Sequence, residues 1–188
     1  MMEETIKVIL PVALIAAFLT TAFFFLTWWM ESERRLRRAM KNALAGEPDM
    51  HAIAPSEGKA AGLDLLNEQL AVLWNRGAIG LVFDFAEIDG GEIIVDGHVV
   101  TRVRRHYGRK ELDVMVEDAE TVILRLLFNS PQCPEFEISL WRANWSTDAA
   151  PQSVHAPATS GPRQTRSAGE GLRQGRRWLA HIESLAKT

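Results

Sequence analysis

Apolar and polar residues alternate along this chain with several different periods, and each period predicts a different element. Residues 8–30, VILPVALIAAFLTTAFFFLTWWM, hold no charged side chain over 23 positions. A run of about 20 apolar residues matches a helix crossing roughly 30 Å of hydrocarbon, so this stretch predicts a transmembrane helix. From Glu31 the apolar positions Leu36, Met40 and Leu44 recur at i, i+4 and i+8, which predicts a helix over 31–46 that stops at Gly46 and Pro48. Residues 47–59 have two prolines and no clear period, and read as a tether.

Beyond the tether the period falls to two. Short segments rich in Val, Ile, Leu and aromatics at 60–66, 69–74, 81–85, 92–95, 98–105, 111–116, 122–129 and 136–141 predict seven to eight strands. Asp96-Gly97 is a two-residue hairpin signal, because glycine accepts positive φ at little cost. Phe136, Ile138 and Leu140 alternate with Glu137 and Ser139, the signature of a strand with one dry and one wet face. Residues 146–168, with three prolines and many small polar residues, predict a disordered loop. A closing helix follows, announced by Ser167 and Glu170 as a capping box, with Leu172, Trp178, Leu179, Ile182 and Ala186 on one face.

Charge adds a direction. Glu3 and Glu4 precede the apolar run, whereas Arg34, Arg35, Arg37, Arg38 and Lys41 follow it, next to the interface-seeking Trp28 and Trp29. This asymmetry predicts residues 1–7 outside, a single span at 8–30, and everything after Met30 in the cytoplasm, at a bacterial inner membrane. A cleaved signal peptide fits poorly, because the start is acidic and the apolar run is long. The single cysteine, Cys133, excludes an intramolecular disulfide and suits a reducing compartment. Net charge is −3, and a nucleic-acid partner is not expected from that balance.

Strands followed by one amphipathic helix bearing Trp178 resemble a pleckstrin-homology-like (PH-like) barrel, and residues 71–100, AVLWNRGAIGLVFDFAEIDGGEIIVDGHVV, are similar to the central strands of small bacterial PH-like domains in membrane-anchored proteins. The resemblance covers 60–186. It implies an antiparallel barrel or sandwich closed by the C-terminal helix, so the expected fold class is one transmembrane helix plus a mainly β (α+β) domain. It implies little about activity.

The candidate chemistry is sparse. His51, His98, His106, His155 and His181 show no metal-ligand spacing, Cys133 lies in no nucleophile signature, and no catalytic residue, metal or cofactor is expected. The basic segment 102–110, with Arg102, Arg104, Arg105, Arg109 and Lys110 around Tyr107, is the candidate contact for an anionic headgroup or ligand; its bland counterpart is a solvated hairpin tip. Arg105 and Arg109 also resemble the R-x-x-x-R element of PilZ domains. Glu137-Ile138-Ser139 resembles their downstream D/N-x-S-x-x-G, with glutamate replacing the acid or amide and Arg142 standing where glycine belongs. The expected function is a non-enzymatic single-pass protein presenting a PH-like module that binds membrane lipid headgroups or an unidentified membrane or cytosolic protein. The alternatives are an accessory subunit of a membrane complex and a cyclic-dinucleotide sensor.

Overall fold

The computed structural model describes residues 17–21, 31–111, 119–143 and 167–186. The anchor expected at 8–30 does not stand. Among the described residues no helix is long and apolar enough to cross a membrane; the described part of that stretch is a helical turn over 17–21, and its remainder, with Trp28 and Trp29, lies outside the described residues. The single-pass topology, the inner-membrane location and the threading inferred from them fall with it.

What the chain builds is a mainly β fold of two antiparallel sheets. The first is a meander in the order β1 (Met50–Ala54), β2 (Lys59–Asp64), β3 (Gln69–Trp74), β4 (Ile79–Asp84). The second comprises β5 (Ile88–Val95), β6 (His98–Arg104), β7 (Gly108–Glu111), β8 (Thr121–Phe128) and β9 (Glu135–Arg142), in the spatial order β7-β6-β5-β8-β9. Nine strands are described where seven to eight are expected. A helix over 31–43 (α1) precedes the strands, and a helix over Ala168–Ala186 (α2) closes the chain. The loop expected at 146–168 lies outside the described residues up to 166.

The expected tether is not a tether. It contains β1 and the turn into β2, with Ala52 and Ala54 turned into the core. Alanine has weak strand propensity, so its apolar side gives no audible period in sequence. The expected juxtamembrane helix likewise belongs to the domain. Leu36, Met40 and Leu44 are fully buried and pack on Ala60, Ala71 and Leu73, the outward side chains of β2 and β3. Small residues there let the helix lie close: a Cβ on Gly62 would run into the Met40 sulfur. The basic residues placed at a membrane interface are therefore the solvent side of a docked helix. Arg35 pairs with Glu31 at 2.7 Å, Arg37 with Glu33 at 2.6 Å, and Lys41 with Glu47 at 3.1 Å.

The main core lies between the inner faces of the sheets and takes in α2. β8 alternates regularly, with Val122, Leu124, Leu126 and Phe128 inward. Phe83 of the first sheet stacks on Phe128 of the second, with ring centroids 4.0 Å apart. Leu172, Trp178, Leu179 and Ile182 bury the apolar face of α2. Gly91 is where the helix comes closest, since a Cβ there would meet Leu179 at 2.8 Å. At the start of α2 the Ser167 hydroxyl accepts the Glu170 N–H at 3.2 Å, which satisfies one otherwise unpaired first-turn donor. Between β5 and β6 the hairpin turns on Asp96 and Gly97, both left-handed at φ 48° and 81°.

Candidate functional site

The outward face of the second sheet carries a row of charge that crosses all five strands. Register places Lys110 opposite Arg102, Arg102 opposite Glu92, Glu92 opposite Arg125, and Arg125 opposite Glu137. Side chains directly opposite in an antiparallel pair face the same way and touch. Glu92, only 2 % exposed, receives Arg102 at 2.6 Å and Arg125 at 3.2 Å. Arg125 also holds Glu137 at 2.5 Å and Glu135 at 3.7 Å. Its bond to Glu137 raises the guanidinium above its ordinary range despite burial, with the charges of Glu137, Glu135 and Glu92 acting the same way. The row is a clamp across the sheet. We expect Glu92→Ala to cost about 1–3 kcal/mol, since it strips a buried acceptor from two donors. Urea unfolding measures the loss.

Four of the five basic residues singled out in segment 102–110 are engaged within the domain. Besides Arg102 with Glu92, Arg104 lies 3.7 Å from Asp89 and Arg109 lies 2.5 Å from Glu111. Arg105 donates to the carbonyls of Ala86 and Phe85 at 2.6 and 3.4 Å. Lys110 makes no ion pair among the described residues, and Tyr107 at the hairpin tip is 87 % exposed. The structure thus brings the segment together as the hairpin of β6 and β7, but turns most of its charge onto neighbouring carboxylates and carbonyls. The PilZ-like pair is divided the same way, Arg105 fixing the corner between β4 and β5 while Arg109 meets Glu111. Ser139, the other residue of that resemblance, hydrogen-bonds Glu57, which also lies 3.3 Å from Arg142.

Those contacts belong to the closure between the sheets. β1 packs beside β9, and Lys59 donates to the Glu137 carbonyl at 3.0 Å, so the β1 and β9 edges shield one another. β7 is short, and three of its four residues, Arg109, Lys110 and Glu111, are charged. That composition resists pairing with another strand. β4 has neither protection. Among the described strands it pairs only with β3, and its sequence IGLVFD contains no proline and no charge before Asp84. Ile79 is 48 % and Val82 41 % exposed. The helix α1 covers the outer face only as far as β2 and β3, which leaves Val82 bare. A row of backbone N–H and C=O groups on an apolar, uncharged edge is a template for another strand.

The sequence pattern places this strand only at 81–85, although the uncharged run starts at Ile79. What it could not show is which strand ends the sheet. Among the described residues no group of three or more His, Cys, Asp or Glu is arranged to hold a metal. Cys133 is half-buried, its S–H pointing to the Glu135 carbonyl, and burial, followed by the Glu135 charge, pushes the thiol up. No family model, curated protein or solved structure matches this chain.

Proposed function

We propose that this chain is a non-enzymatic protein-interaction module of PH-like type that docks through the open edge of β4, and that the strand it takes up is β4 of a second copy. The observation that carries the reading is the apolar β4 edge, unpaired among the described residues, where the other three edges of the described sheets are shielded or charged. Residue pairing selects the occupant. A second copy of β4 running antiparallel about a two-fold axis gives the isologous arrangement usual for dimers. Centred on Leu81, such pairing sets Ile79 against Phe83 and Gly80 against Val82, inward residues beside inward and outward beside outward. An anionic ligand at 102–110 has less support, because Arg102, Arg104, Arg105 and Arg109 are already occupied.

Cysteine crosslinking of the full chain tests this. With Cys133→Ser as background, Leu81→Cys places two sulfurs across the axis, where opposite residues lie about 4.5–5.5 Å apart, within disulfide reach. Mild oxidation is expected to yield a covalent dimer from Leu81→Cys and none from Leu66→Cys, which is 89 % exposed but off the edge. Adding Val82→Lys is expected to suppress the dimer, as edge lysines do. Equal crosslinking from both positions, or crosslinking of Leu81→Cys to a different protein in its place, overturns self-pairing.

A further inference from the structure

Between α1 and β1 lies a pocket of about 140 Å³ lined by Arg37, Arg38, Met40, Lys41, Glu47, Pro48, His51 and Ile53. Three of these side chains are cationic and one is a carboxylate. Met40, Pro48 and Ile53 supply apolar walls, against which charge interactions are stronger than in open water. Against the ~30 Å³ share of one water, the space admits a phosphate or a short carboxylate.

Two of the cations have partners of unequal firmness. Arg37 grips Glu33 with two N–H groups, at 3.1 and 2.6 Å. Lys41 reaches Glu47 at 3.1 Å, but both side chains are largely exposed, at 58 % and 82 %, so this pair opens to solvent at small cost. Arg38 makes no ion pair among the described residues. At the β1 wall the His51 Nε2 atom is shut away from solvent without a hydrogen-bond partner among the described residues. The other polar contact of this residue is elsewhere: its carbonyl accepts from Gln174 of α2 at 3.4 Å.

We propose that this pocket binds a small anion, a carboxylate or phosphate group, with Arg38 and Lys41 as the charged contacts and the His51 ring in the β1 wall sensing the bound charge. His51 is held below its ordinary value, first by burial and then by the charge of Arg37, with Glu47 and Glu33 pulling the other way. A histidine with a depressed folded pKa binds fewer protons than in the unfolded chain, so stability falls as pH drops below about 6.5, the unfolded value, and levels off below the folded one. A bound anion reverses the balance. It favours the protonated ring, and the His51 pKa rises.

The test is an NMR pH titration of His51 in the full chain, assigned with His51→Asn, in chloride, inorganic phosphate and acetate at equal ionic strength. Phosphate or acetate is expected to raise the His51 pKa by about one unit over chloride. The ion that does so identifies the group the pocket accepts. Arg38→Ala, at an exposed position that leaves the fold intact, is expected to remove most of the rise. A His51 pKa equal in all three salts, or a full rise retained in Arg38→Ala, overturns the proposal.

Discussion

Trp178→Ala is expected to remove about 3–5 kcal/mol of stability, the range for emptying a buried aromatic position. The indole is fully buried and sits in the face of α2 that fills the core between the sheets, with Leu179 and Ile182 beside it. Set against the 5–15 kcal/mol typical of a folded domain, such a loss leaves little margin. The indole Nε1 has no hydrogen-bond partner among the described residues, so Trp178→Phe deletes a desolvated donor along with some volume. It is expected to cost well under half as much. Urea unfolding of the three proteins measures both values. A loss below about 1 kcal/mol for Trp178→Ala would mean that α2 is not the plug of this core.

The second large effect concerns α1. Leu36 is fully buried against β2 and β3, and Leu36→Ala is expected to cost about 2–5 kcal/mol through lost contact and the cavity left behind. Arg34, exposed on the same helix, is the control: Arg34→Ala is expected within about 0.5 kcal/mol of the parent. A helix that merely led into the domain would make the two substitutions alike. Thermal unfolding followed by near-ultraviolet circular dichroism, which reports core packing, separates these cases.

Much of the second sheet was legible in sequence because its signals are local. Asp96-Gly97 needs positive φ at both residues and fixes the β5–β6 hairpin, while Phe136, Ile138 and Leu140 of β9 alternate with Glu137 and Ser139. Ser167 marked the start of α2 through a bond to its own first turn. What stayed hidden depends on partners distant in sequence. Leu36, Met40 and Leu44 announced an apolar stripe, but nothing in their spacing says that Ala60, Ala71 and Leu73 cover it. β1 was missed because Ala52 and Ala54 face the core with side chains too small to register. β5 begins at Ile88, earlier than the 92–95 expected, because Gly90 and Gly91 carry no side chain to extend the apolar run. They are where a Cβ would strike the Val103 carbonyl and Leu179.

The candidate site shows the same division. A run of basic residues at 102–110 suggested an exposed anion contact, yet Glu92 and Asp89, which receive Arg102 and Arg104, lie on the neighbouring strand and are invisible to any window around the run. Cross-strand register turned a basic segment into an ion-paired sheet face. The open β4 edge is the converse case. It is defined by the absence of a next strand among those described, and only the assembled sheets reveal it.

Amide hydrogen exchange of the full chain, followed residue by residue at low and high protein concentration, tests self-pairing of β4 most directly. The account predicts that protection within 79–84 rises with concentration while β3 and β8, already paired on both sides, stay unchanged. Exchange within 79–84 that is fast and independent of concentration would contradict it.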